Sequence, residues 1–503
     1  MKTIRRLSQL VALLGFIALF LAARFPFRPW APVDLGLRFS PFGAVLDSLA
    51  SLKPALHYGP GIVILLLTPL FGRFFCGWLC PLGATLDGWR RLFGPKAGES
   101  ASSILGFLRW PKYALLVILS VAALAGGPFW GWFDPLALFN RLVTGVAYPL
   151  TTYIFSSIAS NLNWIPGFIG FKRSVAKWMM PEAQFVPWQF WPLFALGAAI
   201  LVLEFWRPRF WCRSVCPAGA LLGFCASHRL HSRRIDESCV NCGRCSRECP
   251  MAAIEENPRQ VNPAECIECR LCDNVCPPGT SAIVRKFHAG SPVPAPVDLT
   301  RRQLIGSAAC GLAMAAGERI LPQKPLVTTG LLRPPGAIDE EAFRRHCIRC
   351  LQCVRVCASN GACLQPDGLE NGLSGLWAPV AKMRTGYCEA NCNLCGQVCP
   401  TGVIRNLSLD EKYRHPIGRA VFDKNFCIPY RRNEDCLVCE EHCPVPDKAI
   451  RFELREATAP DGTKRMIKYP YVVADTCIGC GICEHKCPLP GRAGIFVSNE
   501  RSR

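Results

Sequence analysis

The chain has 503 residues, enough for more than one domain, with a formal charge of +20 at pH 7 and 31 cysteines. Half of its residues are hydrophobic, and the mean hydropathy of +0.20 is high for a soluble protein and indicates membrane spans. Most cysteines fall in tight C-x-x-C-x-x-C-x-x-x-C runs. This spacing excludes a disulfide scaffold, because it crowds four thiols too closely for separate disulfides and suits metal ligation.

Four apolar segments approach the ~20 residues that a bilayer core requires. They are predicted as membrane-spanning helices at about Leu7–Ala23, Leu56–Phe75, Lys112–Gly127 and Gln189–Trp206. Lysine and arginine are concentrated before the first segment, between the second and third, and after the fourth. The positive-inside rule therefore places the N-terminus and the residues from 207 onward in the cytoplasm. Buried helices of a soluble core are the less favoured alternative.

The motif C-x-x-x-C-P-x-G-A occurs twice, at the cytoplasmic ends of the second and fourth predicted spans. The first copy, "CGWLCPLGA", contains Cys76 and Cys80, and the second, "CRSVCPAGA", contains Cys212 and Cys216. If the two helix ends meet, these four thiolates suffice for one iron–sulfur cluster. Redox-active or structural thiols that hold no iron are an equally supported interpretation.

Two cysteine runs beyond Arg234 follow a ferredoxin pattern. The run "CVNCGRCSRECP" contains Cys239, Cys242, Cys245 and Cys249, and the run "CIECRLCDNVCP" contains Cys266, Cys269, Cys272 and Cys276. In the two-cluster bacterial arrangement, three close cysteines hold one [4Fe–4S] cluster and the fourth, before proline, reaches the other cluster. Cys276 is thus predicted to complete the first set and Cys249 the second. Zinc is disfavoured, because a tetrahedral zinc site has no use for the interlocked fourth cysteine.

Four further runs follow in the C-terminal region and predict four more clusters. They contain Cys347, Cys350, Cys353 and Cys357; Cys388, Cys392, Cys395 and Cys399; Cys427, Cys436, Cys439 and Cys443; and Cys477, Cys480, Cys483 and Cys487. We expect nested pairing, first run with fourth and second with third, which would put Cys487 on the first cluster and Cys357 on the fourth. The remaining Cys225, Cys310 and Cys363 are expected to be buried small hydrophobic residues rather than ligands.

The positive charge does not indicate a nucleic-acid partner. A [4Fe–4S] cluster on four thiolates carries about −2 in its oxidised form, so six clusters would bring the protein to roughly +8. Many of the remaining lysines and arginines flank apolar segments, where they orient membrane spans.

The stretch "DLTRRQLIGSAACGLAMAAGERIL" at residues 298–321 lies between two proline-rich linkers and has the pattern of a twin-arginine export signal. The uncharged part, Leu304–Gly317, would rise about 21 Å as a helix, less than the ~30 Å hydrocarbon core. Because clusters are assembled in the cytoplasm, a four-cluster domain must cross the membrane folded, which is what this route permits. We predict that the segment stays as a short fifth anchor or is cut near Ala313-Met314-Ala315. The alternative is a surface helix that leaves all six clusters cytoplasmic.

These observations predict a multidomain protein, an α-helical membrane domain of four spans plus a possible short fifth, with two α+β bacterial-ferredoxin-like [4Fe–4S] domains. The predicted parts are a membrane domain at 1–206, a cytoplasmic connector at 207–234, a two-cluster domain at 235–290, a linker with the internal signal at 291–340 and a four-cluster domain at 341–503.

The motifs resemble a known family of electron-transfer proteins. The first ~290 residues resemble NapH, the membrane iron–sulfur protein of periplasmic nitrate reductase systems, and share their membrane core with NosR and CcoG. Residues 300–503 are similar to NapG, an exported four-cluster ferredoxin, through "GYCEANCNLCGQVCPTGVI", "CLVCEEHCPVPDKAI" and "CIGCGICEHKCP". This chain departs from that pattern by fusing the two. The resemblance implies electron flow between membrane quinol and a periplasmic acceptor.

The predicted function is that of an inner-membrane electron carrier between the quinone pool and a periplasmic reductase or c-type cytochrome. Cluster chemistry needs no catalytic acid, base or nucleophile. Candidates for the quinone site are His57 and Tyr58, or Trp132 and Asp134 in "GWFDP". The main alternative is an electron donor for maturation or reactivation of a periplasmic metalloenzyme. A redox sensor is a third, although the sequence shows no output domain.

Overall fold

The computed structural model describes residues 2–25, 32–94, 109–161, 187–227, 231–235, 238–254, 261–277, 283–287, 299–320, 330–460 and 462–499. The chain forms two compact units. Unit 1 comprises Met1–Leu21, Ala31–Val143 and Trp191–Leu321, and unit 2 comprises Ala22–Trp30, Thr144–Phe190 and Pro322–Arg503.

The N-terminal half is helical. Its helices are α1 (Lys2–Ala22), α2 (Leu35–Arg38), α3 (Pro41–Ser51), α4 (Gly59–Phe71), α5 (Phe74–Trp78), α6 (Pro81–Phe93), α7 (Trp110–Leu124), α8 (Pro135–Leu142), α9 (Tyr148–Asn161), α10 (Pro187–Trp206) and α11 (Pro217–Ala226). Short 3₁₀ turns cover Leu56–Tyr58 and Trp130–Trp132, and π-helical turns cover Val143–Ala147 and Trp211–Val215.

Two helices among the described residues are long and apolar enough to cross a membrane. They are Lys2–Ala22 and the continuous helix Pro135–Asn161, which joins α8 to α9. The first coincides with a predicted span, whereas the second lies where no span was predicted. The other three predicted spans form shorter apolar helices, at Leu56–Phe71, Trp110–Leu124 and Phe190–Trp206. The structure therefore weakly supports membrane association, and the count of four spans stays a prediction.

Local sequence signals explain where several of these helices begin and end. Ser40 begins α3 by accepting a hydrogen bond from the Gly43 amide at 2.9 Å, as an N-cap side chain does. Asp134 caps α8 through the amides of Leu136 and Ala137, at 2.9 and 3.0 Å. The chain leaves α4 at Gly72, whose φ of 69° suits a residue without a side chain. Gly72 ends α4 directly before α5, the helix that contains Cys76.

The rest of unit 1 contains the first two ferredoxin-type runs and the arginine-pair segment. Strand β1 (His231–Ile235) pairs antiparallel with β2 (Ile283–Phe287), with His231 opposite Phe287. Between them lie the short helices α12 (Arg244–Arg247) and α13 (Leu271–Val275), which pack on each other. The arginine pair begins α14 (Arg301–Ile320), and this helix packs along α7.

Unit 2 combines short helices with small antiparallel sheets. Its helices are α15 (Glu340–His346), α16 (Gln352–Cys357), α17 (Leu394–Gln397), α18 (Leu409–Arg414), α19 (Ile428–Arg432), α20 (Val438–Glu441) and α21 (Ile482–Lys486). Its strands are β3 (Leu364–Pro366), β4 (Pro379–Ala381), β5 (Arg419–Phe422), β6 (Ile450–Thr458), β7 (Lys464–Val472) and β8 (Ile495–Ser498). The pairs are β3 with β4, β5 with β8, and β6 with β7. This arrangement agrees with the α+β expectation.

Candidate iron–sulfur sites

The four thiols of the two C-x-x-x-C-P motifs come together in unit 1. Cys76 lies in α5 and Cys212 in the π-helical turn, while Cys80 and Cys216 are the N-cap residues of α6 and α11, each followed by proline at the first helical position. Cys80, Cys212 and Cys216 are buried, and each interacts electrostatically with Cys76. We call this group the membrane-edge site.

The helix starts explain why these positions suit negatively charged ligands. The Gly219 amide donates to the Cys216 sulfur at 3.4 Å, and unpaired amides at a helix N-terminus favour negative charge. Burial and the neighbouring thiols nevertheless raise the pKa of both Cys80 and Cys216. Four such thiols ionise together only when a cationic metal centre compensates them, and their convergence fits a [4Fe–4S] cluster.

Two buried arginines cross between the motif copies. Arg73 and Arg209 each stand three residues before the first cysteine of a copy, and both side chains are 0 % exposed. Arg209 donates to the carbonyl oxygens of Cys76 and Gly83 in the first copy, at 2.7 and 3.2 Å. Arg73 reaches Gly219 in the second copy, where an added Cβ would lie 2.7 Å from its Nη2 atom. The repeat is therefore R-F-x-C-x-x-x-C-P-x-G-A, with each arginine lying against the other copy.

The half-buried carboxylate of Asp87 balances Arg209. Arg209 binds Asp87 through two hydrogen bonds of 2.8 Å, and Arg5 also pairs with Asp87. Burial opposes ionisation of Asp87, but the two arginines outweigh it and lower its pKa to about 2. The carboxylate is thus held ionised. The sequence prediction missed the arginines and Asp87, although the arginine is part of the extended repeat.

The membrane-edge site lies directly against the second ferredoxin run. Trp78 donates to the Glu268 carbonyl at 3.0 Å, and Arg73 donates to the Ala264 carbonyl at 2.9 Å. A Cβ at Gly77 would overlap the carbonyl oxygen of Ile267, so glycine is needed for this approach. We call residues 264–268 the docking loop.

Glu265 of the docking loop makes buried ion pairs. Its carboxylate accepts hydrogen bonds from Lys112 at 2.6 and 2.5 Å and from Arg73 at 3.1 Å. Burial raises the pKa of this carboxyl, but Lys112 and Arg73 lower it overall. These contacts fix the residue before Cys266 to Lys112 of α7 and to Arg73, the residue before α5.

The structure brings together the four cysteines of one predicted cluster site in the two-cluster region. One cavity is lined by Cys249, Cys266, Cys269 and Cys272. The fourth cysteine of the first run therefore reaches the second run, which is the interlocked arrangement. The set of Cys239, Cys242, Cys245 and Cys276 stays a prediction.

The C-terminal runs pair with their sequence neighbours, so the nested pairing is wrong. In the first half of unit 2, Cys353 interacts with Cys347, Cys350 and Cys399, and Cys395 interacts with Cys388, Cys392 and Cys357. In the second half, one cavity is lined by Cys427, Cys436, Cys439 and Cys487, and another by Cys443, Cys477, Cys480 and Cys483. The packing of α16 on α17 and of α20 on α21 causes this order. Cys487 thus belongs with the third run and Cys357 with the second.

The three cysteines outside the runs have different environments. Cys363 is buried and Cys225 is half-buried, whereas Cys310 on α14 is exposed, so the expectation of burial is wrong for Cys310. The Cys363 sulfur lies 3.9 Å from that of Cys357, and it also interacts with Cys388. It therefore lies against two predicted cluster ligands.

The quinone-site candidates separate into two kinds. His57 lies 3.1 Å from the Asp47 carboxylate, and its ring lies 4.6 Å from that of the buried Tyr58. Asp134, by contrast, is the α8 cap and contacts the Ser40 hydroxyl, so its contacts are those of a structural residue. Trp132 is half-buried near Phe129, at a ring distance of 5.4 Å.

Among the described residues, no three histidine, cysteine or acidic side chains are close enough to share one metal ion. A [4Fe–4S] cluster has a different requirement, since each thiolate binds a different iron.

Comparison with known proteins agrees with this geometry. A family model described as "4Fe-4S binding domain" matches residues 61–98 and 188–235, which include both motif copies, and one described as "4Fe-4S dicluster domain" matches residues 231–277. The ferredoxin-type protein NapG of Escherichia coli (strain K12) is 37 % identical over 180 residues, covering 35 % of this chain and 72 % of that protein.

Two other relatives extend the match. The methylamine utilization ferredoxin-type protein MauM of Methylorubrum extorquens is 32 % identical over 193 residues, covering 37 % of this chain and 83 % of that protein. The ferredoxin-type protein NapH of Escherichia coli (strain K12) is 26 % identical over 267 residues, covering 49 % of this chain and 75 % of that protein. No solved structure matches. The resemblance to NapG and NapH is confirmed.

Proposed function

Because the chain belongs to the family of ferredoxin-type proteins that includes NapG and MauM, we propose that it carries electrons between the membrane quinone pool and a periplasmic redox enzyme. Iron–sulfur electron transfer follows from the family and from its 4Fe-4S domains. The quinone end, the periplasmic end and the number of clusters are the parts that we add. When bound, each cluster supplies one-electron chemistry.

The contact between the membrane-edge site and the docking loop carries the proposal. Gly77 and Trp78 sit between the two cysteines of the first motif copy, and they touch Ile267 and Glu268, which sit between two cysteines of the second run. Two neighbouring cluster sites thus share a direct backbone contact. Counting the membrane-edge site, we propose seven clusters.

His57 and Asp47 supply what a quinol end requires besides a cluster. Oxidation of a quinol releases protons together with electrons, so a proton acceptor is needed beside the ring. The Asp47 carboxylate lies 3.1 Å from the His57 imidazole and fixes its orientation. The adjacent Tyr58 ring gives the site an aromatic wall.

Transfer from quinol is tested on anaerobically purified protein in lipid nanodiscs. A quinol analogue should bleach the visible absorbance of the oxidised clusters, and His57→Gln should slow this about 100-fold, the scale of a lost general base. Reduction by dithionite should not change. Lys53→Gln, on the same loop and exposed, is the matched control and should behave as the wild type.

Two outcomes would refute this part. Clusters that dithionite reduces but quinol does not would contradict the quinone end. Full quinol activity in His57→Gln would contradict the assigned proton acceptor. Sustained turnover with an added acceptor separates continuous electron transfer from the maturation role, in which a few electrons reach only an apo-enzyme.

We further propose that α14 is a retained anchor and that the region after it is periplasmic. Ser307, Gly311 and Ala315 recur every four residues and are all buried, a small-residue stripe that permits close helix packing in membranes. A Cβ at Gly311 would lie 2.6 Å from the Ile118 carbonyl of α7. This close packing supports retention over cleavage after Ala315.

Retention predicts one polypeptide of 55.5 kDa in membranes, detected with tags at both ends. Two fragments would show cleavage. External protease should remove a tag placed after Arg503 from intact spheroplasts, and a protected tag would contradict the periplasmic assignment. Gly311→Leu should loosen α14 from α7 and expose the segment to proteolysis, whereas Gly306→Leu, which faces open space, is the control.

A further inference from the structure

The first C-terminal run ends differently from the others. In the other five ferredoxin-type runs, a proline follows the fourth cysteine, namely Cys249, Cys276, Cys399, Cys443 and Cys487. Cys357 is followed by Ala358, and another cysteine, Cys363, stands six residues further on. The site that takes its fourth ligand from this run therefore has five nearby thiols instead of four.

The extra thiol lies at the fourth-ligand position. The Cys363 sulfur is 3.9 Å from the Cys357 sulfur. It also interacts with Cys388, which is one of the three predicted ligands from the second run. Cys363 is only 2 % exposed. The Leu364 amide, directly after it, donates to the Cys357 sulfur at 3.4 Å.

The backbone holds Cys363 firmly in this place. Ala362 forms a parallel bridge with Tyr387, the neighbour of Cys388, and the Tyr387 amide donates to the Gly361 carbonyl at 2.8 Å. Gly361 has a φ of +86°, and a Cβ there would overlap the Tyr387 carbonyl oxygen. The Cys363 carbonyl accepts from the Lys382 amide at 2.8 Å. The two cysteine-bearing segments are thus tied together on both sides of Cys363.

Two sulfurs in contact cannot serve different corners of one cluster. Two thiolates that bind different irons of a [4Fe–4S] cluster are separated by the width of the cluster. The Cys357 and Cys363 sulfurs are instead 3.9 Å apart. Cys363 also forms a side-chain hydrogen bond with Cys388, but its neighbour Leu364 donates to the Cys357 sulfur, so Cys357 is the ligand with which it competes for a single iron. The other three irons are left to Cys388, Cys392 and Cys395.

We propose that Cys357 and Cys363 are interchangeable ligands of the fourth iron in this cluster. In the exchange, the bond from iron to the Cys357 sulfur breaks and a bond from the same iron to the Cys363 sulfur forms. The proton of the Cys363 thiol passes to the released Cys357 thiolate, which it already contacts. Neither electrons nor a further reactant are consumed. The inference rests on the proposed ligation of clusters by the C-terminal runs.

The test compares alanine variants of the full-length, anaerobically purified protein. Cys357→Ala and Cys363→Ala should each keep the wild-type iron content and show no signal of a three-iron cluster in electron paramagnetic resonance of oxidised samples. The double variant should lose iron or gain that signal. Cys399→Ala is the matched control, because its sulfur lies 3.8 Å from the Thr401 hydroxyl, which is a poor replacement ligand, and it should lose iron as a single variant.

The possible results distinguish failure of the ligand interchange from failure of the proposed clusters. Iron loss in Cys357→Ala equal to that in Cys399→Ala would overturn the interchange, and so would failure of Cys357→Ala to yield folded protein, since Cys363 is expected to preserve the site. A double variant that keeps all its iron would also overturn it. Low iron in the wild type would instead refute the proposed clusters themselves.

Discussion

The membrane-edge site and the last two predicted cluster sites of unit 2 each bring four thiols together, but the residues around these thiols differ in charge. Arg73 and Arg209 are buried beside the membrane-edge thiols. The two later sites are lined by apolar residues in addition to their cysteines, among them Phe422, Ile428 and Ile495 at one site. Nearby cations stabilise the extra negative charge of a reduced cluster. We therefore expect the membrane-edge cluster to have the higher reduction potential.

Removing one of the crossed arginines should have the largest effect. Arg209→Met leaves the half-buried Asp87 without its two-point partner, while Arg5 still pairs with it, so we expect a cost below the value of about 3–5 kcal/mol that is typical of breaking a fully buried ion pair. We expect loss of the iron of the membrane-edge site and a lower Tm, measured by iron analysis and thermal unfolding. Arg91→Met, at an exposed position, is the control, and unchanged iron in Arg209→Met would contradict the role of the charges.

A smaller effect is expected where the membrane-edge site meets the docking loop. Gly77→Ala adds a Cβ that overlaps the Ile267 carbonyl, so the loop must shift away while the thiols themselves remain. We expect at least about tenfold slower quinol reduction of the two-cluster region, about 1.4 kcal/mol in barrier, with full iron content. Gly88→Ala, which meets nothing within 4 Å, should leave the rate unchanged. Equal rates in both variants would show that this contact is dispensable.

The smallest effect concerns a buried carboxyl in unit 2. Asp367 is fully buried and accepts a hydrogen bond from Asn371 at 2.8 Å, and burial raises its pKa from 3.8 to about 6. The protonated form thus stabilises the fold below pH 3.8, and this contribution is lost as the pH rises through about 6.

Asp367→Asn stays neutral at every pH. Its Tm relative to the wild type should therefore increase from about pH 4 to pH 7 and then level off. Thermal unfolding at several pH values measures this difference, and Asp410→Asn, on the exposed first turn of α18, is the control. A difference in Tm that does not vary with pH would contradict the raised pKa.

Much of the candidate chemistry could be predicted from the sequence because cluster ligands are local. Three of the four cysteines at each site are close in the chain, so spacing alone identifies them. The partner run is not local. The runs differ only in the spacing of their first two cysteines, which does not indicate the partner run. Only the packing of α16 on α17 shows that Cys357 turns to the adjacent run.

The long helix and the buried arginines could not be predicted from the sequence, for different physical reasons. The helix Pro135–Asn161 contains Asn140 and Arg141, which interrupt its apolar pattern, yet both side chains are buried. Arg73 and Arg209 appear in the sequence as ordinary flanking charges that orient spans. Their burial against the opposite motif copy depends on long-range contacts that spacing does not reveal.

The crossing of Arg209 onto Cys76 joins residues 133 positions apart in the chain. Neither motif copy can therefore complete its own pocket, and the pocket cannot exist until the ribosome has delivered both. Loading of the proposed cluster there would be a late event in biogenesis, after both motif copies have been assembled. A truncated or misinserted chain would lack this proposed cluster, and with it the proposed entry of electrons from quinol.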